Sequence, residues 1–253
     1  MKFSANLGFL WTDRPLPDAI RAAKAAGFDA VECHWPYDVP PAVVIAALND
    51  TGLKMLGLNT DRGDVAAGEN GLLALPGREA DAKAAIDQAV SYAGATGTGS
   101  VQLMAGKADG DDAHRTFLRN LKYAVETAPT GLTLLIEPLN AVDAPGYFLE
   151  NTDQAAQIIA EIGAPNLKLM FDCYHVARTE GDVLGKLAEH IGIIGHIQFA
   201  GVPDRGRPDE GALDYAPIFD AIRHMGWEIP LGAEYKPGGD TDATLGWMAA
   251  YAE

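Results

Sequence analysis

The sequence predicts a single (β/α)8 barrel over residues 1–253, and three observations point to it. Short apolar runs alternate with alanine-rich amphipathic stretches from end to end, eight times over, in a length typical of one such barrel. No linker-like stretch divides the chain. Four of the apolar runs end in a polar residue, Glu137, Asp172, Gln198 and Glu234, at intervals of 35, 26 and 36 residues, each about one βα unit. A doubly wound open sheet seldom uses eight such even units and usually carries a glycine-rich first turn.

The first strand is KFSANLG (2–8), followed by LPDAIRAAKAAG, where apolar residues recur at helical spacing and Gly27 suits a C-cap. DAVECHW (29–35), KMLGLNT (54–60) and SVQLMAG (100–106) read as strands two to four. Between the third and fourth lie an irregular stretch, 61–78, and the helical EADAKAAIDQAVSYAGA. TLLIEPLN (133–140) is the fifth strand, and TDQAAQIIAEIG after it closes on Gly163. LKLMFDCYH (167–175), IGHIQFAG (194–201) and EIPLGAEY (228–235) complete the set. The run Gly94-Ala-Thr-Gly-Thr-Gly99 looks like a phosphate loop, but it precedes a strand instead of joining a strand to a helix, so it reads as a turn. The irregular 61–78 segment, DRGDVAAGENGLLALPGR, is long for a compact domain and falls on the C-terminal face. It reads as a lid, with Gly63, Gly68, Gly71 and Gly77 supplying backbone freedom, or else as a plain surface excursion.

Composition narrows the function. The chain is 48% apolar and 21% charged, which suits a well-buried core. Against 19 basic residues stand 35 acidic ones, a formal charge of −16 that repels phosphate backbones and makes nucleic acid an unsuitable partner. An acidic substrate would then need a local metal or basic cluster. Cys33 and Cys173 fall in predicted strands two and six, far apart across a barrel, and read as buried fillers in a reducing compartment. The N-terminus shows no secretory pattern and no apolar run is long enough for a membrane span, so the expected location is cytoplasmic. Oligomeric state is left open; a homo-oligomer is compatible with the sequence.

At the C-terminal ends of parallel strands, Glu137, Asp172, Gln198 and Glu234 converge on one face. Read alone, each acidic residue is equally a capping or salt-bridged carboxylate. Taken together, three buried carboxylates without a cation would cost several kcal/mol each. A hard divalent ion, Mg2+ or Mn2+, resolves this better than zinc, because no histidine or cysteine cluster accompanies them. His175, three residues after Asp172, is either a core histidine or a donor to a substrate oxygen. Arg205 and Lys236 bring basic groups to the face where an acidic chain needs them for anion recognition. Asn6 and Asn59, ending strands one and three, are candidates for substrate hydrogen bonds, and His34 and Trp35 either wall the pocket or belong to the core.

The segments FSANLGFLW, AGFDAVE, GDVAAGENGLLALPGRE, LLIEPLN, FDCYH, HIQFAGVPDRGRPDEGALDY and GAEYKPGG run nearly end to end. On them the chain resembles the hydroxypyruvate isomerase family, within the xylose-isomerase-like barrels that include sugar 3-epimerases and endonuclease IV. The resemblance implies that Glu137, Asp172, Gln198 and Glu234 bind the metal, that Glu137 and Glu234 double as an acid–base pair, and that His175 and Arg205 hold a small anionic hydroxy- or oxo-acid. Sugar epimerases place histidine where this chain has Gln198. The implied reaction, of glyoxylate metabolism, interconverts hydroxypyruvate and tartronate semialdehyde through an enediol. A 2-oxo-tetronate isomerase, a ketose 3-epimerase and a metal-dependent binder without turnover are the competing readings.

Overall fold

The eight apolar runs become eight strands of one parallel sheet in a computed structural model, which describes residues 1–251. The strands are β1 (Phe3–Asn6), β2 (Ala30–Glu32), β3 (Gly57–Asn59), β4 (Ser100–Gln102), β5 (Thr133–Ile136), β6 (Leu167–Asp172), β7 (Ile194–Phe199) and β8 (Leu231–Ala233). Hydrogen-bonded neighbours follow chain order, with β1 also pairing β8. A parallel bridge between Val31 and Met55 joins β2 to the β3 segment and completes the ring. Most strand residues are fully buried, as expected where helices cover the sheet from outside.

The helices are α1 (Leu16–Ala25), α2 (Pro41–Thr51), α3 (Glu79–Thr96), α4 (Gly110–Thr127), α5 (Thr152–Ile162), α6 (Cys173–Thr179), α7 (Val183–His190), α8 (Tyr215–His224) and α9 (Met248–Tyr251). Their ends follow local chemistry. The Asn151 side chain caps α5 by accepting from the Gln154 N–H at 2.9 Å, and Gly163 ends it in the left-handed region at φ +68°. Outside the ring, Phe3 and Phe199 pack edge-on against Trp247, which closes a 3-10 segment at Thr241–Trp247, and Phe219 packs on both phenylalanines. That contact seals the first strand against the end of the chain.

Several expected strands run shorter than their apolar patterns. The 167–175 run divides: β6 stops at Asp172, whose Oδ1 accepts from the Tyr174 N–H at 2.8 Å and starts α6. Cys173 therefore opens a helix, and Cys33 lies just past β2; both are free and buried. The 100–106 run leaves the sheet after Gln102 because Met104 and Ala105 bond instead to the 61–78 segment. Gly94 to Thr96 form the last turn of α3, not a free turn, with Gly97 as its left-handed cap.

The inner half of the 61–78 segment is bonded to the chain that follows β4. The N–H groups of Leu72 and Leu73 donate to Met104 O, and that of Ala74 to Ala105 O at 2.7 Å. Leu72, Leu73 and Ala74 are buried. Gly71 serves close approach here: a Cβ would lie 2.6 Å from Met104 O and Gly106 N. Its outer half makes fewer such contacts, and Val65–Ala67 form an exposed 3-10 turn there.

Candidate active site

Every strand delivers a polar residue to the C-terminal rim. Asn6, Glu32, Asn59, Gln102 and Asp172 are the last residues of β1, β2, β3, β4 and β6. Glu137 and Glu234 directly follow β5 and β8, and Gln198 is next to last in β7. All eight are buried. Alternation along each strand sets the layer beneath: Leu135, Met170 and His196 stand two residues before Glu137, Asp172 and Gln198, and line a small void below the rim.

Above the rim opens a cavity of about 180 Å³. Glu137, Glu234, His175, Arg205 and Asn59 of the expected residues line it, with His34 and Trp35 on its wall. Asn6 and Gln198 face the small void below the rim instead, and the Asp172 side chain is wholly enclosed. Lys236 departs from the expectation. The chain leaves β8 at Ala233 before strand alternation could carry this side chain inward, so it is exposed, and only its N–H takes part, donating to Arg205 O at 2.7 Å.

Arg205 is the hub. Its backbone occupies the left-handed region at φ +56°, a conformation arginine rarely adopts and one that collects at functional sites. Nη2 donates to Glu234 Oε2 and, at 3.4 Å, to Asp172 Oδ2. Asn6 Nδ2 donates to Glu234 Oε1 at 2.9 Å, and His34 Nε2 lies 2.8 Å from the same oxygen. Burial pushes the Glu234 carboxyl up, but Arg205 and the His34 contact overcome it and hold it down at about 2. Glu137 is the opposite case. Burial, with Glu234 and Asp172 nearby, drives its carboxyl well above the ordinary carboxylate range, and its Oε2 accepts from Gln102 Nε2. Burial likewise raises Asp172 to about 7 in spite of Arg205.

His175 is held neutral, pushed down to about 3 by burial and by Arg205. The Asn140 N–H (3.0 Å) and Nδ2 (2.7 Å) both meet its Nδ1, so the neutral ring carries its hydrogen on Nε2. Arg205 Nη1 at 3.1 Å from Nε2 is then donor against donor, and the carboxylates, not His175, retain the guanidinium.

Glu137, Asp172 and His175 bring ligand atoms within 4.8 Å of one another. A test of fit comes from two buried oxygens that have no hydrogen-bond partner, Glu137 Oε1 and Gln198 Oε1. Leaving such acceptors unpaired costs about 1–3 kcal/mol each. Both belong to the expected oxygen-donor set, and a hard divalent cation would satisfy both. The residues present fit a metal.

Glu32 and Gln102 were not singled out from the sequence, although the strand-end rule that found the others applies to them. Glu32 takes Asn6 Nδ2 (3.1 Å) and Gln198 Nε2 (2.8 Å) on Oε1, with His196 Nε2 2.6 Å from Oε2.

Residues 20–251 match the family model described as xylose isomerase-like TIM barrel. Over 255 residues the chain is 46% identical to a 2-oxo-tetronate isomerase of Cupriavidus necator, covering 99% of this chain and 98% of that one. It is 35% identical over 256 residues to hydroxypyruvate isomerase of Escherichia coli strain K12, with 99% of each covered. Among solved structures, a Brucella melitensis protein titled AP endonuclease, family 2, superposes with a TM-score of 0.95 at 35% identity, over 99% of this chain and 98% of that one. The chain belongs to the xylose isomerase-like TIM barrel family, on the branch it shares with 2-oxo-tetronate isomerase and hydroxypyruvate isomerase.

Proposed function

We propose that the protein is a hydroxypyruvate isomerase, interconverting hydroxypyruvate and 2-hydroxy-3-oxopropanoate (tartronate semialdehyde) by proton transfer through an enediol. The observation that carries this reading is the pair Glu137 and Glu234, which line one small cavity with their carboxyl groups pushed in opposite directions. Two titrating groups driven apart by their surroundings mark an acid and a base. In this reading Glu234, whose carboxyl Arg205 holds down, removes a proton from C3 of hydroxypyruvate, and Glu137 on the other side of the cavity delivers one to C2. The hydroxyl proton on O3 is lost as O2 gains one, which balances the exchange.

Glu137, Asp172, Gln198 and Glu234 would hold the metal, Mg2+ or Mn2+, and the ion when bound supplies electrostatic stabilisation of the charge that develops on substrate oxygens. Arg205 and the Nε2–H of neutral His175 recognise the acid, with Asn59 at the cavity wall. The cavity is smaller than the roughly 300–1,000 Å³ of pockets for drug-sized ligands, which favours a short acid over a hexulose. An endonuclease reading has no support in this chain. Its formal charge of −16 opposes a phosphate backbone, and each of the two ligand clusters among the described residues contains one histidine.

The test is proton NMR of hydroxypyruvate with magnesium-loaded protein in D2O. Tartronate semialdehyde carrying deuterium at carbon is the expected product. No change at high enzyme concentration rejects the substrate. The 46% identity to a 2-oxo-tetronate isomerase favours a four-carbon acid as the second reading, so that acid is run beside it.

Arg205→Ala distinguishes acids from neutral sugars. Loss of a charge-assisted contact is expected to raise KM for the acid about 10–100-fold. Equal losses for the acid and a neutral ketose would confine Arg205 to neutralising Glu234 and Asp172.

No described helix is long and apolar enough to cross a membrane. Cytoplasmic location, a role in glyoxylate metabolism and self-association remain parts of this proposal.

A further inference from the structure

Glu32 lies outside the expected site yet meets three buried side chains, those of Asn6, His196 and Gln198. It ends β2, while Gln198 lies on β7; in the ring β1 and β8 separate them. The carboxylate reaches across that gap because β8 has glycine at position 232. A Cβ there would lie 2.5 Å from Glu32 Oε1 and 2.8 Å from Gln198 Cγ. The absent side chain is a cradle for this one contact.

The donors that converge on Glu32 make it an acceptor. Asn6 Oδ1 takes the Gly8 N–H at 2.9 Å, so the Asn6 NH2 must face away from that turn. It spans Glu32 Oε1 and Glu234 Oε1. His196 Nε2 meets Glu32 Oε2. Gln198 then has one favourable orientation, with Nε2 on Glu32 and Oε1 pointing away, where it is a buried oxygen without a partner. A flipped amide would set oxygen against oxygen at Glu32 and present N–H donors to a cation.

We infer that Glu32 is a positioning residue that turns the Gln198 carboxamide oxygen-first toward the metal and steadies Asn6 against Glu234. The inference rests on the reading of Gln198 as a metal ligand. A carboxamide ligand, unlike a carboxylate or an imidazole, has one wrong face, and an acceptor behind it removes that choice. Contacts of this kind around a metal ligand are typically worth 10–100-fold in metal affinity.

The experiment is direct Mn2+ binding, by calorimetry and by electron paramagnetic resonance of free Mn2+, to wild type, Glu32→Gln, Gln198→Glu and the double variant, with circular dichroism as the folding check. Glu32→Gln is expected to raise the Mn2+ Kd about 10–100-fold. Gln198→Glu alone also weakens binding, since two carboxylates then face each other. The double variant recovers most of the loss, because the carboxylate introduced at position 198 has two equivalent oxygens and the amide introduced at position 32 can donate to one of them. A merely structural role for Glu32 would not be rescued in this way.

A Glu32→Gln Kd within about twofold of wild type, or no recovery in a folded double variant, overturns the inference. Absence of Mn2+ binding by wild type overturns the metal reading and this inference with it. Should Glu32→Gln not fold, NMR of wild type decides. The Gln198 Nε2 protons are expected to stay slow to exchange when Mg2+ is added, and loss of that protection overturns the orientation.

Discussion

Glu234→Gln and Glu137→Gln are each expected to lower kcat about 10²–10⁴-fold, the range that one positioned acid or base contributes. Glutamine preserves the volume and one acceptor oxygen, so neither change empties the rim. The loss lies in proton exchange. The two variants are expected to differ in an observable way. Glu234 is held down by Arg205, Asn6 and His34, whereas burial beside two other carboxylates pushes the Glu137 carboxyl up. Glu234→Gln therefore stops deuterium entering C3 of hydroxypyruvate in D2O. Glu137→Gln still allows that exchange while product fails to form. The reverse pattern would swap the two roles, and wild-type rates in either variant would remove the pair from the mechanism.

The fold was legible because a (β/α)8 barrel repeats its signal. Any one apolar run is ambiguous, but eight with helical stretches between them leave few alternatives. Strand ends were less legible. LKLMFDCYH continues as an apolar pattern through Tyr174, yet Asp172 turns the chain into a helix by capping it with its own side chain. The same residue thus satisfies the bland reading of a capping carboxylate with Oδ1 while keeping Oδ2 for Arg205. The rule that polar strand ends gather at one rim picks out Glu137, Asp172, Gln198 and Glu234, and it applies equally to Glu32 and Gln102. Gln102 was hidden because its apolar run continues through Met104, a stretch that bonds to the 61–78 segment and not to the sheet. Lys236 was misjudged because charge alone suggested it, and pairing at the chain level decides which way a residue past a strand end points. No periodicity reveals that Arg205, from a loop, reaches two carboxylates at once; that is a tertiary fact.

Chelation of divalent metal is expected to abolish turnover, with Mg2+ or Mn2+ restoring it, and to leave a protein whose stability falls as pH rises. Four carboxylates, those of Glu32, Glu137, Asp172 and Glu234, lie enclosed at the rim, with Arg205 the cation that bonds the last two. Without a further positive charge, burial answers by favouring protonated Glu137 and Asp172. A group whose folded pKa is raised lends stability that is complete below its unfolded value and is lost as pH climbs through the folded one. For Asp172 that window runs from about 4 up to about 7, and Glu137 acts in the same direction. His175 opposes them only below its ordinary value near 6.5, since its own folded value is down at about 3. Glu234, held at about 2, adds no slope above the ordinary carboxylate range. With two carboxyls losing stability against one imidazole gaining it, the slope is already downward below pH 6.5 and steepens above it, where His175 no longer opposes them. Between pH 6.5 and pH 8 the loss is expected to be on the order of 1–2 kcal/mol, a fall in Tm of about 2–8 °C for a chain of this size. Saturating metal reverses the sign, because the ion binds the deprotonated carboxylates and its stabilisation grows with pH. Thermal melts at pH 6.5 and 8, with chelator and with Mg2+, decide the matter. A chelated protein that stays fully active and melts at the same temperature at both pH values would mean that the rim balances its own charge and that the chemistry proceeds without the ion.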